Sequence, residues 1–200
     1  MPAENPAEVV RQHLLASAEA QRGAVVVAEA TAAAAACMVE ALRAGHKVLL
    51  CGNGGSAADA QHFAGEMVGR FQLAGRAPLP VLAITTDTTV LTCIANDFAY
   101  EDVFSRQVAA FAQPGDVVLG ISTSGRSANV LRALETARAR GAATLALTGG
   151  AGGPVAAAAD VAIAVPGTET TRIQECHITV IHAICDLIER AIGVPGARQA

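Results

Sequence analysis

Five short apolar runs, each followed by a helical stretch, constrain this chain more than any other feature. They are Lys47–Cys51, Val81–Thr85, Asp116–Ser122, Ala143–Thr148 and Val161–Val165. The runs are short and nearly continuous in apolar residues, as expected of strands covered on both faces. Helical stretches follow at Ala57–Gly69, Thr89–Ala95, Asp102–Ala112, Ser127–Arg140, Pro154–Ala158 and Thr171–Ile192. Strands alternating with helices predict an α/β domain, doubly wound around a mostly five-stranded parallel sheet flanked by helices. Ligands of such sheets bind at the carboxyl ends of the strands. Two Ala-rich helical stretches, Ala7–Gln21 and Ala24–Ala44, precede the first strand, and Gly45 is placed to stop the second.

Two of the strand-to-helix turns are built for anions. Gly120-Ile-Ser-Thr-Ser-Gly-Arg-Ser127 leaves a strand and opens a helix. A turn there presents free backbone N–H groups and the positive end of a helix dipole. Ser122, Thr123, Ser124 and Ser127 add hydroxyl donors, so an anion cradle is expected rather than a plain loop with Ser127 as helix cap. Upstream, Gly52-Asn-Gly-Gly-Ser56 follows the first strand, with glycines that permit close backbone approach to a ligand and Ser56 placed to cap the next helix. Neither loop has the spaced glycines of a dinucleotide site or the Gly-Lys-Ser/Thr ending of a nucleotide phosphate loop. Together they point to one small phosphorylated ligand.

Composition excludes several other classes. At 200 residues and 52% apolar, the chain builds one sizeable core, read as a single domain over residues 1–200. A net charge of −4 and 3% aromatics leave nucleic-acid binding without an electrostatic footprint. No apolar run approaches a membrane span, and Ala32–Val39 is expected to pack within its helix. The opening Met1-Pro-Ala-Glu-Asn-Pro lacks the basic and apolar regions of a secretory signal. Cys37, Cys51, Cys93, Cys176 and Cys185 show no pairing pattern, which suits small buried hydrophobes in a reducing cytoplasm. The helices within residues 1–45 have no strand of their own to cover, so they either pack on the sheet or join other subunits. Oligomerisation is the preferred reading.

Candidate chemistry lies on two helices. His62 and Glu66 stand four apart, on one face of the helix that opens at the Gly-rich loop. Together they could bind a transition metal, act as acid and base, or form a surface pair. The last helix carries Gln174, His177 and His182. Gln174 and His182 are about 12 Å apart along a straight helix. Both therefore reach one ion only if the helix bends or if the ligands come from different subunits. His177 is left without a role, and His13 and His46 are expected to be solvated.

These motifs closely resemble the phosphoheptose isomerases of the sugar-isomerase (SIS) fold. The resemblance rests on Gly52-Asn-Gly-Gly-Ser56, Asp59-Ala-Gln-His62 with Glu66, Asn96-Asp97, Gly120 to Gly125 with Ser127, and Arg172-Ile-Gln-Glu175 through His182. It runs from about residue 8 to 190. It implies interconversion of sedoheptulose 7-phosphate and D-glycero-D-manno-heptose 7-phosphate, an aldose–ketose isomerisation at the start of heptose biosynthesis. Carried over by motif, Asn53, Gly54, Gly55, Ser56, Asn96 and Asp97 would contact substrate, and Ser122, Thr123, Ser124 and Ser127 would hold its phosphate. His62, Glu66, Gln174 and His182 match the positions of a zinc site with one Zn²⁺ per subunit, and Glu66 and Gln174 would also touch substrate. The resemblance further implies a homotetramer with active sites between subunits.

The chemistry suits these residue types. Moving a carbonyl from C2 to C1 through an enediol needs a base for the adjacent carbon's proton, assigned to Glu66. It also needs an acid to move protons between the oxygens, assigned to His182. A non-catalytic alternative exists: an adaptor on the same fold, which binds the bacterial replication initiator, resembles these loops. It differs at the positions of Glu66 and His182, and both residues are present here. A third reading is an isomerase of another sugar phosphate, since the cradle reads only the shared phosphate end. Val165 to Thr171 matches the family loosely, which leaves Glu169 without an assigned role.

Overall fold

Val48–Gly52, Val117–Ser122 and most of Ala143–Gly149 are buried along their whole length, as strands sandwiched between helical layers must be. The computed structural model describes residues 5–193. The first four residues of the Met1–Pro6 reading, and the outer ends of the 1–200 domain span, lie outside those residues. Among the described residues, five strands form one all-parallel sheet: β1 (Val48–Gly52), β2 (Val81–Ala83), β3 (Val117–Ser122), β4 (Ala143–Gly149) and β5 (Val161–Val165), in the order β2-β1-β3-β4-β5. The expected fold class holds.

Among the described residues, eight α-helices accompany them: α1 (Pro6–Gly23), α2 (Ala28–Arg43), α3 (Gly55–Val68), α4 (Thr88–Asp97), α5 (Ser105–Phe111), α6 (Ala128–Ala139), α7 (Gly153–Ala157) and α8 (Thr170–Ile192). Two apolar clusters show how they divide. One face of the sheet packs Met38 of α2, Phe63 of α3 and Ile181 of α8 against Leu50, Leu119 and Leu147. The other packs Ile94, Val108, Leu134 and Val155, from α4 to α7, against Leu49, Val118 and Ala146.

Several boundaries differ from the sequence reading. The Ala-rich pair is one helical trace with a 3₁₀ turn at Ala24–Val27 between α1 and α2. Its halves have different fates. α2 buries Ala34, Ala35 and Met38 against the sheet and α8, so it does cover the sheet. α1 buries no residue, and Val10, Leu14, Leu15, Val25 and Val26 along α1 and the turn stay exposed. The continuous stretch Pro6–Arg43 is long and apolar enough to cross a membrane by length and composition, contrary to the expectation from apolar runs alone. The packing of α2 accounts for much of that apolarity in a globular way.

A buried ion pair ties the ends of α3 and α8 together. Arg76 Nε donates to Glu189 Oε1 at 2.8 Å, and both side chains are 2% exposed. The other guanidinium nitrogens donate to the carbonyls of Glu66, Met67 and Ala77. Glu189 also accepts from the backbone N–H groups of Phe71, Gln72 and Leu73 at 2.9–3.0 Å. Burial alone would push the Glu189 carboxyl up. The Arg76 and backbone donors overcome this and hold it below the ordinary carboxylate value. A lowered folded-state value means that this stabilisation is present above pH 4.5, the ordinary value, and is lost as pH falls through the folded one. Glu189→Gln strands the Arg76 charge in the core, and we expect a loss of about 3–5 kcal/mol at pH 7 by urea unfolding. The gap between variant and wild type should narrow as pH falls below 4.5; a pH-independent gap would disprove the assignment.

Candidate active site

From the central pair β1–β3 the chain turns to opposite sides of the sheet, to β2 on one side and to β4 and β5 on the other. The strand order therefore reverses between β1 and β3, and open α/β sheets leave a ligand crevice at such a point. Gly52 pairs with Ile121, so the two anion loops emerge side by side.

The first loop turns at Gly54, whose φ of +55° suits glycine. That turn starts α3 at Gly55, earlier than expected. Ser56 therefore lies buried in the first turn and does not cap it, and no side chain caps α3. Gly55 is close-packed: a Cβ there would land on the Gln174 amide of α8. In the second loop, Ser127 occupies the N-cap position of α6, but its hydroxyl is 2.8 Å from Ser122 Oγ and caps nothing. Ser124 Oγ accepts from the Arg126 N–H at 3.2 Å. Ser122 is buried, Thr123 and Ser127 are half-buried, and Ser124 is exposed, so the hydroxyls line a graded rim at the positive end of a helix.

α3 and α8 run side by side from this rim. His62 Nε2 lies 2.9 Å from His182 Nε2 and 3.4 Å from Glu66 Oε1. Phe71, held by the Glu189 contacts, stacks on the His182 ring with centroids 5.7 Å apart. Three predicted residues thus converge within one chain. Gln174 does not join them: α8 is one unbroken helix, and Gln174 sits against Gly55 instead, near enough to Asp59 to act on its carboxyl. Two imidazole nitrogens facing each other beside a carboxylate are donors of the kind that zinc takes. In donor chemistry the residues fit such an ion. Among the described residues no cluster of three or more His, Cys, Asp or Glu is already spaced as a metal cage.

Asn96 and Asp97 end α4 exposed, with Asn96 Nδ2 donating to Asp97 Oδ1 at 2.7 Å and the Cys93 thiol donating to Asp97 Oδ2 at 3.4 Å. Glu169 stands at the N-cap of α8, where it accepts from the Thr171 hydroxyl at 2.7 Å.

Sequence reasoning missed four neighbours of the site. Asp59 is buried with Oδ2 unpartnered; burial pushes its carboxyl up, against lowering by Gln174 and His62. Its spacing of three from His62 is a signal that was available, because it places both on one helix face. Asn129 and Tyr100 both hydrogen-bond to Asn53. No local pattern announces them, since Tyr100 arrives from the far end of α4. His177, set aside above, is fully buried and donates from Nε2 to the Thr148 carbonyl at 3.0 Å, while Nδ1 has no partner.

The SIS domain model matches residues 13–149. The phosphoheptose isomerase of Citrifermentans bemidjiense is 56% identical over 163 residues, 82% of this chain and 84% of that one. The phosphoheptose isomerase of Rhodospirillum rubrum is 53% identical over 165 residues, 82% of this chain and 87% of its own. The solved structure of a phosphoheptose isomerase from Neisseria gonorrhoeae superposes with a TM-score of 0.88 at 47% identity, covering 93% of this chain and all of that one. Fold and site thus define an SIS-domain sugar-phosphate isomerase. Within that class, the chain belongs to the phosphoheptose isomerase family.

Gly55→Ala places a methyl group where the Gln174 amide lies. The clash is with a mobile side-chain end, so circular dichroism should show a folded protein. We expect kcat/KM to fall on the order of 10²-fold, the usual consequence of a misplaced site group. Full activity would mean that the position of Gln174 is immaterial.

Proposed function

We propose that this chain converts sedoheptulose 7-phosphate to D-glycero-D-manno-heptose 7-phosphate through an enediol, with Glu66 as base and His182 as acid. The observation that carries the assignment is the convergence of His62, Glu66 and His182 beside the paired anion loops. The phosphate rests on Ser122, Thr123, Ser124, Ser127 and the N-terminus of α6. Asn53, Gly54, Gly55 and Ser56 face the sugar, with Asn96, Asp97 and Gln174 as further contacts.

The proton steps balance within the substrate. Glu66 takes the C1 proton of the ketose while His182 donates one to the C2 oxygen, which gives the enediol. Proton loss from the C1 hydroxyl and return of a proton to C2 complete the aldose, so no external oxidant or nucleotide is consumed. His62, Glu66 and His182 of one chain, with Gln174 supplied by a neighbouring subunit, are the residues that would hold one Zn²⁺ per subunit. When bound, that ion would polarise the reacting oxygens and offset their developing charge.

Purified protein incubated with sedoheptulose 7-phosphate should yield the aldoheptose phosphate by NMR. No product, with or without added Zn²⁺, would exclude the reading in favour of a non-catalytic adaptor or an isomerase of another sugar phosphate. Glu66→Gln and His182→Gln should each lower kcat by roughly 10²–10⁴-fold with little change in KM. Recovery of most activity on adding excess Zn²⁺ would reduce both residues to metal ligands.

The assembly we propose is a cytoplasmic homotetramer with active sites between subunits. Its support is the unburied α1 and an apolar groove lined by Ala24, Val25, Ala28, Val180, Ala183 and Leu187. Five free cysteines, most of them buried or half-buried, suit a reducing compartment. Light scattering at micromolar concentration should give four times the 20.2 kDa chain mass; a monomer would refute the assembly.

A further inference from the structure

We infer that Asn129 and Tyr100 are positioning residues that lock the Asn53 amide so that it offers the substrate an N–H donor and no carbonyl. The inference rests on the reading of Asn53 as a substrate contact. Asn53 and Asn129 face each other across the two loops and exchange both hydrogen bonds at 2.8 Å: Asn53 Nδ2 donates to Asn129 Oδ1, and Asn129 Nδ2 donates to Asn53 Oδ1. Such a ring would survive a simultaneous flip of both amides, so its sense needs an outside anchor. The Val130 backbone N–H supplies one. It donates to Asn129 Oδ1 at 2.9 Å, and a backbone N–H can bond only to an oxygen there. Asn129, 3% exposed, is thereby fixed, and it fixes Asn53 in turn.

The Tyr100 hydroxyl completes the lock, donating to Asn53 Oδ1 at 3.1 Å. Both lone pairs of that oxygen are then occupied, by Asn129 and Tyr100. One Asn53 Nδ2 hydrogen goes to Asn129, and the second is what the half-buried Asn53 side chain has left to offer. Its complement is an oxygen acceptor. We assign that acceptor to a hydroxyl or carbonyl oxygen of the sugar, because the phosphate has its own hydroxyl rim on the other loop. An unlocked amide could turn its carbonyl toward the same oxygen, and two acceptors facing each other repel.

Two routes of action separate in a double-mutant cycle. We would measure the affinity for sedoheptulose 7-phosphate by calorimetry, together with kcat/KM, for Tyr100→Phe, Asn129→Asp and Asn53→Ala. The same measurements would be made on the first two changes in the Asn53→Ala background. Asn129→Asp keeps the acceptor for Val130 but cannot donate to Asn53, and Tyr100→Phe removes only the hydroxyl of an exposed side chain, so the fold is not at risk in that variant. We expect Tyr100→Phe to weaken affinity and kcat/KM about fivefold, the worth of one hydrogen bond, and Asn129→Asp to weaken them roughly tenfold or more. In the Asn53→Ala background each should add less than about twofold. Inhibition by inorganic phosphate should stay unchanged in Tyr100→Phe and Asn53→Ala. Losses that multiply in the double variants would overturn the inference, since Asn129 and Tyr100 would then act independently of Asn53. Full affinity in Asn53→Ala, or a weakened phosphate inhibition in Tyr100→Phe, would overturn it as well. Binding without turnover in the wild type would refute the isomerase reading alone, because the calorimetric cycle still decides the lock.

Discussion

The parallel pairing of β1 with β3 is the constraint on which the site depends. Their hydrogen-bonded register sets Gly52 beside Ile121, so the loops that leave these strands must share one crevice. Each loop then feeds a helix, α3 or α6, whose first turn carries unsatisfied N–H groups and positive dipole charge. Because the strand order reverses here, α3 and α6 lie on opposite faces of the sheet, and the crevice stays open between them. An anion cradle on one loop and a glycine turn on the other become a single site only through this neighbour relation.

α8 carries the remaining groups, and its precision comes from contacts spread along its length. Gln174 meets Gly55 and Asp59 at the start of α3, and His182 meets His62 one to two turns further along that helix. Between them His177 bonds the carbonyl of Thr148, which pairs with Ser122 at the carboxyl ends of β3 and β4. Burial pushes the His177 imidazole down in spite of that hydrogen bond, which keeps it neutral in a core with no counter-charge. At the far end Glu189 and Arg76 hold Phe71 against His182. A helix fixed at four heights cannot slide or rotate freely, so side chains more than two turns apart keep their separate addresses.

The helical pair at the start shows how one composition serves two ends. Ala at Ala34 and Ala35 lets α2 approach the sheet closely, and it disappears into the core. α1 continues the same trace with its apolar side uncovered, pinned to α8 through His13 with Arg172 and through Gln21 with the Glu175 carbonyl. Exposure of this kind is costly for an isolated chain and natural for one surface of an assembly.

The sequence by itself determined the sheet and where its ligand must bind. Short continuous apolar runs separated by helical periods have few other ways to hide their backbone and side chains, and hydroxyls and glycines at strand ends mark a phosphate crevice. The pair His62 and Glu66 was legible for the same reason, because helix spacing alone puts them on one face. Helix spacing does not tell which distant residues meet them: the family resemblance named His182, and the tertiary structure placed it and supplied the rest. His182 comes 120 positions later, Asn129 reaches Asn53 across 76, and Tyr100 across 47. The buried pair of Arg76 and Glu189 joins residues 113 apart, and neither shows in its own segment that it will lose water. Even the Ser56 cap was decided by backbone geometry, since Gly54 turns the chain early and carries Ser56 into the helix. Local pattern determines which face a side chain takes on its own element. The packing of α3 against α8, and the register of β1 against β3, determine what that face meets.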